Sequence, residues 1–470
     1  MSIQETMFEE ISNKDLFNLA KDYGLEYLSH ISDRNVYPNE TDLTNLSVFD
    51  EDLGDRPTPA KEVLLRLNKF GGPATVAQIG GRYFGFVNGG VVPAGLVARL
   101  LSDFWDQNTA MQVISPISAK LEIVVQKWLR SLFGFQETCV AGFVSGTSMA
   151  TFCGLSAARY RILKRKGWDI NESGLFGAHR IRVVAGSHAH STVLKAVSLL
   201  GFGNNNIEWL DADDQGRIIP EKLPSLDDNT ILILQAGNVN SGCFDDFSTI
   251  CAKANEAGAW VHIDGAFGLW AAAVKKLKHL VRGIEKADSW SVDAHKTLNT
   301  PYDSGIVLCK DADALTSSLH MAGSYIVVDE ERDGMFFTPE MSRRARIIEL
   351  WATMKSLGQD GIDEMILGMH ERAQQFKVEL ESAGFVVLNE VVFNQVIVHY
   401  ENDLSTKKLL EEVQNLRVCW CGGSKWQNRD VIRISVCSWA TTKVDVTKSV
   451  NSFIQARDNI KKRLLTSAST

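Results

Sequence analysis

The chain has 470 residues, 45% of them hydrophobic and 23% charged, with 36 glycines and 10 prolines. These are ordinary globular values and exclude collagen, global disorder and a membrane bundle. Lysine plus arginine number 49 against 57 aspartates plus glutamates, a formal charge of −8, and no basic stripe interrupts the mixed pattern, which argues against a nucleic-acid platform.

In chain order, the opening MSIQETMFEEISNKDL is acidic and lacks a basic stretch followed by an apolar one, so no secretory signal is expected. No window approaches the roughly 18 uncharged apolar residues of a membrane span, so a soluble, cytoplasmic protein with no membrane contact is the expectation. Eight cysteines are too sparse for a disulfide framework and none stands at a zinc-site spacing. Buried reduced thiols follow, and the pair Cys419 and Cys421 reads as one solvent-facing and one core position on a strand. Residues 1–110 read as a helical wrapping segment with turns at Gly71-Gly72-Pro73, Gly80-Gly81 and Gly89-Gly90.

Residues 111–345 form the predicted large domain. Within it the β-branched runs IRVVA, ILIL, WVHID and GIVLC alternate with amphipathic stretches, which predicts βαβ units and a mostly parallel sheet. Val193, Ala196, Val197 and Leu200 recur at i, i+3, i+4 and i+7, the spacing of a crossover helix packed on that sheet, with Ser191 as its N-cap. Residues 346–470 form a predicted smaller α/β domain. Its two helical stretches precede the strand-like FVVLN, VVFNQVIVHY and VIRISVC, and a helix closes the chain over roughly 442–463. No internal repeat is present.

Four segments carry chemistry. VAGFVSGTSMATFCGLSAARY reads as a strand, a small-residue loop over Ser145, Gly146, Thr147 and Ser148, and a helix, whose free amides and hydroxyls suit a phosphate. No NTPase phosphate loop or dinucleotide glycine pattern accompanies it. SGTSMA also matches the nucleophile segment of subtilisin-like proteases, but Ser148 precedes Asp303 here and the Asp, His, Ser order is absent. Next, AGSHAHSTVLKAV places His188 and His190 before the crossover helix. Stacking on a flat ring suits His190 better than metal ligation, because no third ligand stands at a recognised spacing. WVHIDGAFG ends a strand in Asp264, at the carboxyl end where open α/β sheets bind ligands; a carboxylate there keeps a pyridine nitrogen protonated or simply caps a helix. Finally, SVDAHKTLNTPYDSG puts Lys296 just after a short strand.

Taken together, a phosphate cup, a stacking histidine, a strand-end aspartate and a following His-Lys stand in the order expected for a pyridoxal 5′-phosphate site. The chain resembles the group II pyridoxal-phosphate-dependent amino-acid decarboxylases, the family of aromatic-amino-acid, histidine and glutamate decarboxylases. The resemblance runs over most of the sequence, from RYFGFVNGG and DQNTAMQVISPISAKLE through AHSTVLKA, AGNVNSGCFD, HIDGAFG, DAHK and SRRAR to VIRISVCSW.

The resemblance implies a fold-type-I transferase-like α/β architecture: a large, mostly parallel seven-stranded sheet domain and a smaller C-terminal α/β domain. It makes Lys296 the Schiff-base lysine, Asp264 the partner of the pyridine nitrogen, His190 the stacking residue and Ala266 the packing on the opposite ring face. Gly146, Thr147, Ser148 and His295 would serve the cofactor's phosphate end. Gln235 and Asp293 fall where the family uses cofactor-contacting threonine and asparagine. The implied reaction is decarboxylation of an L-amino acid by a homodimer, with aldehyde formation or transamination as the alternative. That alternative arises because these enzymes commonly return the proton from a loop tyrosine, where this chain has Phe336 and Phe337, the nearest upstream tyrosine being Tyr325. Phe84, Phe86 and Arg433 are the candidate substrate contacts, and no metal is expected.

Overall fold

The computed structural model describes residues 2–319 and 332–467. The strands of its larger sheet, most of them largely buried, are β1 (Val140–Val144), β2 (Arg182–Gly186), β3 (Ile207–Leu210), β4 (Thr230–Gln235), β5 (Trp260–Asp264), β6 (Ser289–Asp293) and β7 (Gly305–Cys309). Their order is β1-β7-β6-β5-β4-β2-β3, and only β7 runs antiparallel to its neighbours. The carboxyl ends of β1, β2, β4, β5 and β6 therefore share one edge, the edge where such sheets bind ligands. Strand β3 was not predicted; its sequence IEWL buries only the two end residues, so no continuous apolar run announces it.

The crossover helix spans Ser191–Leu199 and buries Val193, Ala196 and Val197, the predicted face. Its N-cap is His190 rather than Ser191: the imidazole Nδ1 accepts the Thr192 amide at 3.3 Å. Helix Thr147–Arg165 lies across the same face of the sheet. Close approach is possible because Gly154 has no side chain: a Cβ there would stand 2.7 Å from the His262 ring. The opposite face is covered by helices Pro116–Phe133 and Phe247–Glu256, whose buried residues share one cluster with Trp270, Trp290 and Phe143.

The smaller sheet is antiparallel, ordered β10-β11-β9-β8, from β8 (Val386–Val387), β9 (Gln395–His399), β10 (Gly422–Trp426) and β11 (Arg429–Ser435). FVVLN yields only the two residues of β8, and the glycine-led β10 was not legible as a strand. The two predicted helical stretches meet in one run, Ile347–Ser382, interrupted at Gly358, whose φ of 60° and ψ of −174° are glycine's territory. Cys419 and Cys421 are both buried in the core beneath this sheet, not split between core and solvent. The wrapping segment docks on the same unit: the Phe84 amide donates to Trp420 O at 2.8 Å, the Val36 amide to Arg417 O at 3.0 Å, and the Arg82 guanidinium to Val418 O at 2.8 Å. Among the described residues no helix is long and apolar enough to cross a membrane.

His262 ties the sheet to its helix layer. It is fully buried, hydrogen-bonds Ser289 Oγ at 2.8 Å, and burial pushes its pKa down to about 3. The fold thus keeps it neutral while the unfolded chain protonates it below its ordinary value of about 6.5. The contribution is complete above pH 6.5 and is lost as pH falls toward 3, at up to about 1.4 kcal/mol per pH unit. Urea unfolding between pH 6 and 4 should show a shallower acid loss for His262→Gln than for the unsubstituted protein; equal slopes would reject this role.

Candidate active site

The shared strand edge opens into a cavity of about 510 Å³ lined by residues from every one of those strand ends, among them Thr147, His190, Gln235, Asp264, Asp293 and Lys296. From β1 the chain passes through Ser145 and Gly146 into helix Thr147–Arg165, whose first residues Thr147 and Ser148 line the cavity. Gly305 on the neighbouring β7 must be glycine, since a Cβ there would lie 2.4 Å from Gly146 Cα. Thr147 is buried and its Oγ1 has no hydrogen-bond partner among the described residues. A buried, unanswered hydroxyl beside a helix N-terminus is what an incoming anion would satisfy.

From β6 come Asp293 and, three residues on, Lys296. Asp293 is buried; its Oδ1 accepts the Thr147 amide at 2.6 Å, and its Oδ2 lies 2.9 Å from Lys296 Nζ and 3.6 Å from His295 Nε2. Burial alone would raise the Asp293 carboxyl, but the Lys296 charge above all, with the His295 ring and Thr147 beside it, holds it below the ordinary range. For Lys296, burial works to depress the ammonium, and Asp293 and Asp264 outweigh it, leaving the group above its ordinary value. His295 is oriented by Ser304, whose amide donates to Nδ1 at 3.1 Å, and its ring stacks on Tyr302 with centroids 4.2 Å apart.

From β5, Asp264 accepts a hydrogen bond at Oδ1 from the Ala266 amide at 3.2 Å, and burial raises its carboxyl. Such a carboxylate gains by facing a cation. His190, at the end of the β2 connection, is lowered by burial and so held neutral, with Nδ1 at 2.9 Å from Thr192 Oγ1. Gln235 reaches across to donate to His188 O at 3.0 Å; His188 itself leans on Trp426. Among the described residues no group of three or more His, Cys, Asp or Glu side chains is arranged to hold a metal.

The predicted residues Gly146, Thr147, Ser148, His190, Gln235, Asp264, Ala266, Asp293, His295, Lys296, Phe86 and Arg433 all line this cavity. Arg433, on β11, has no ion-pair partner among the described residues, and burial lowers its guanidinium. Phe84 does not belong to the site: it is 1% exposed and packs edge-on against Phe376 in the small-domain core. Two residues apart would mean one face on a strand, but Phe86 and Val87 have φ of 52° and 61°, so the chain turns and sends the two rings apart. Phe336 and Phe337 are not among the lining residues. Their turn, Gly334–Phe337, packs beside β1, with Arg332 stacked over the Phe337 ring at 3.8 Å. Tyr325 lies outside the described residues.

Sequence reasoning missed Asn299, buried with φ of 57°. Its amide donates to the carbonyls of Lys296, Thr297 and Cys437, at 2.8, 3.1 and 2.8 Å. Its oxygen accepts from Gly90 and Trp439 at 3.0 and 2.9 Å. One side chain thereby joins the lysine loop to the wrapping segment and to the C-terminal unit. In a loop written LNTP an asparagine signals only a turn. Asn299→Ala leaves four of those backbone groups unanswered, the Lys296 carbonyl keeping the Asn299 backbone amide, and is expected to cost at least about 2 kcal/mol, read as a lower urea midpoint; an unchanged midpoint would show that the join is not stabilising.

Comparison with known proteins follows this geometry. Residues 75–401 match the pyridoxal-dependent decarboxylase conserved domain. The aromatic-L-amino-acid decarboxylase of Bacillus atrophaeus is 25% identical over 449 residues, covering 90% of this chain and 91% of that one. The acidic amino acid decarboxylase GADL1 of Mus musculus is 26% identical over 68% of this chain; the match spans 60% of that protein's length, less than two thirds. Among solved structures, Oryza sativa TDC with PLP and tryptamine superposes with a TM-score of 0.86 at 20% identity, covering 95% of this chain and 98% of that one. Mouse CSAD in apo form gives 0.85 at 20% identity, covering 94% and 98%. These two likenesses show that the fold is shared.

Proposed function

Because the chain belongs to the pyridoxal-dependent decarboxylase family, a family of carboxy-lyases whose cofactor is pyridoxal 5′-phosphate, we propose that it converts an L-amino acid to the corresponding amine and carbon dioxide in the cavity around Lys296. The observation that carries this reading is the convergence of a largely buried lysine, a buried strand-end carboxylate, a neutral histidine and a threonine hydroxyl unanswered among the described residues on one cavity. When bound, the cofactor supplies an electron sink for the pair released as the carboxylate departs.

The chain's own residues do the rest. Lys296 Nζ would hold the cofactor through its aldehyde carbon, and Asp264 would keep the ring nitrogen protonated. His190 and Ala266 would fix the ring plane from its two faces, which sets the bond to be broken perpendicular to it. Thr147, Ser148, Gly146 and His295 would receive the phosphate end, and Gln235 braces the His188–His190 loop. Arg433, without an ion-pair partner among the described residues, would receive a substrate carboxylate, and Phe86 would supply an apolar wall.

The working unit in this reading is a homodimer. Helix Ile3–Ser12 buries none of its residues and leaves Ile3, Met7, Phe8 and Ile11 exposed, an apolar face that a second copy would cover. Eight free, buried thiols suit a reducing cytoplasm. The matched domain is that of decarboxylases, which favours decarboxylation over aldehyde synthesis and transamination.

Incubation under air with a panel of L-amino acids should release carbon dioxide and amine in equal amounts without peroxide. Peroxide with aldehyde would establish the oxidative branch instead, and no carbon dioxide from any substrate would reject the reading. Lys296→Ala should lose the absorbance of lysine-bound cofactor; retention of that band would reject the assignment of Lys296.

A further inference from the structure

The phosphate cup of this cavity already contains an anion. The Asp293 carboxylate takes the Thr147 amide at 2.6 Å, the first N–H of a 19-residue helix, while the neighbouring Thr147 Oγ1 is buried without a partner. The same carboxylate grips Lys296 at 2.9 Å. A Cβ on Gly146 would meet Asp293 Oδ1 at 3.5 Å and His295 Cε1 at 3.4 Å, so both side chains border the loop that forms the cup. A phosphate monoester, fully ionised above about pH 7 because its second pKa is about 6, and an ionised carboxylate cannot both draw on one amide in a buried site without mutual repulsion.

We propose that seating the cofactor's phosphate in this cup takes up one proton from solvent onto the Asp293–His295 pair, which makes Asp293 a proton-linked latch on cofactor loading. The proposal rests on the reading of the cavity as the cofactor site. In the resting site Asp293 is ionised and its neighbour His295, lowered by burial, is neutral, so the pair has a proton to gain. The arriving phosphate favours protonation of both groups, either of which relieves the repulsion. The other ionisable groups facing this cluster are Lys296, Asp264, His190, Arg433, Cys437, Tyr302 and Asp303. None of these combines a direct hold on the Thr147 amide with a hold on the lysine.

The sign follows from linkage: a step that takes up a proton weakens as pH rises, by up to about tenfold per pH unit for one proton. The test uses pyridoxine 5′-phosphate, which has no aldehyde and so leaves Lys296 chemically untouched, against unphosphorylated pyridoxine, whose ring ionisations are shared and cancel. Calorimetric titration of the unsubstituted protein from pH 7 to 9 should show the phosphorylated ligand weakening relative to pyridoxine by about tenfold per pH unit. Asp293→Asn, neutral and nearly the same size, should bind it at least about tenfold more tightly at pH 9 relative to pyridoxine, with a shallower profile than the unsubstituted protein.

Parallel profiles for the two proteins, or an equal change with pyridoxine, would overturn the proposal. If Asp293→Asn does not fold, the unsubstituted protein titrated in two buffers of different ionisation enthalpy decides the matter. About one proton taken up per pyridoxine 5′-phosphate beyond that for pyridoxine supports the latch, and none overturns it. Failure of the unsubstituted protein to bind either ligand would instead remove the cofactor reading beneath it.

Discussion

A single ammonium, Lys296, buried against the Asp293 carboxylate at 2.9 Å and within the field of Asp264, is the constraint around which the cavity is arranged. A buried cation survives only when paired, and the pairing acids must come from rigid places. Both come from strand ends of one sheet: Asp264 closes β5 and Asp293 closes β6, adjacent and parallel. The Asp293 carbonyl is further pinned by Trp270 Nε1 at 2.9 Å. The charges are therefore held by the deepest part of the core, and the lysine follows on a short loop.

That loop is kept in place from the outside by residues remote from it in sequence. Asn299 ties it to Gly90 and to Cys437 and Trp439, while Gly89 is needed because a Cβ there would lie 2.2 Å from the Lys296 carbonyl. The arginines of SRRAR work at the same border. Arg343 pairs with Glu122 at 2.9 Å and donates to Phe143 O at the end of β1. Arg346 reaches Asp303 at 3.3 Å, next to the Tyr302 that stacks on His295. The wrapping segment, the sheet domain and the C-terminal unit thus meet at the lysine loop, and the backbone of the site depends on all three.

The legible part of this protein was the part with local physical signatures. Buried strands read as β-branched runs, the crossover helix as a 3.6-residue period, and the site as polar residues at strand ends, because these patterns live within a few residues of chain. Lys296, Asp264 and His190 stood out only together, through their chain order and the family resemblance, since each alone reads as an ordinary surface or capping residue. Strands β3 and β10 were not legible, since each lacks a continuous apolar run and is a strand only because a neighbour offers its edge.

The sequence by itself determined the alternation of strand and helix, the chain order of the chemical groups and the absence of a zinc-site cysteine spacing. The tertiary structure decided which of those groups meet. It sent Phe84 into the small-domain core and Phe86 to the cavity, through two positive φ angles that no composition announces. It buried both Cys419 and Cys421, gave the helix cap to His190, and set Asp293 upon the Thr147 amide 146 residues away. The physical reason is common to all of these: a buried polar or charged group takes whatever partner the packing brings within hydrogen-bond reach, and that partner is fixed by the fold of the whole chain, not by its sequence neighbours.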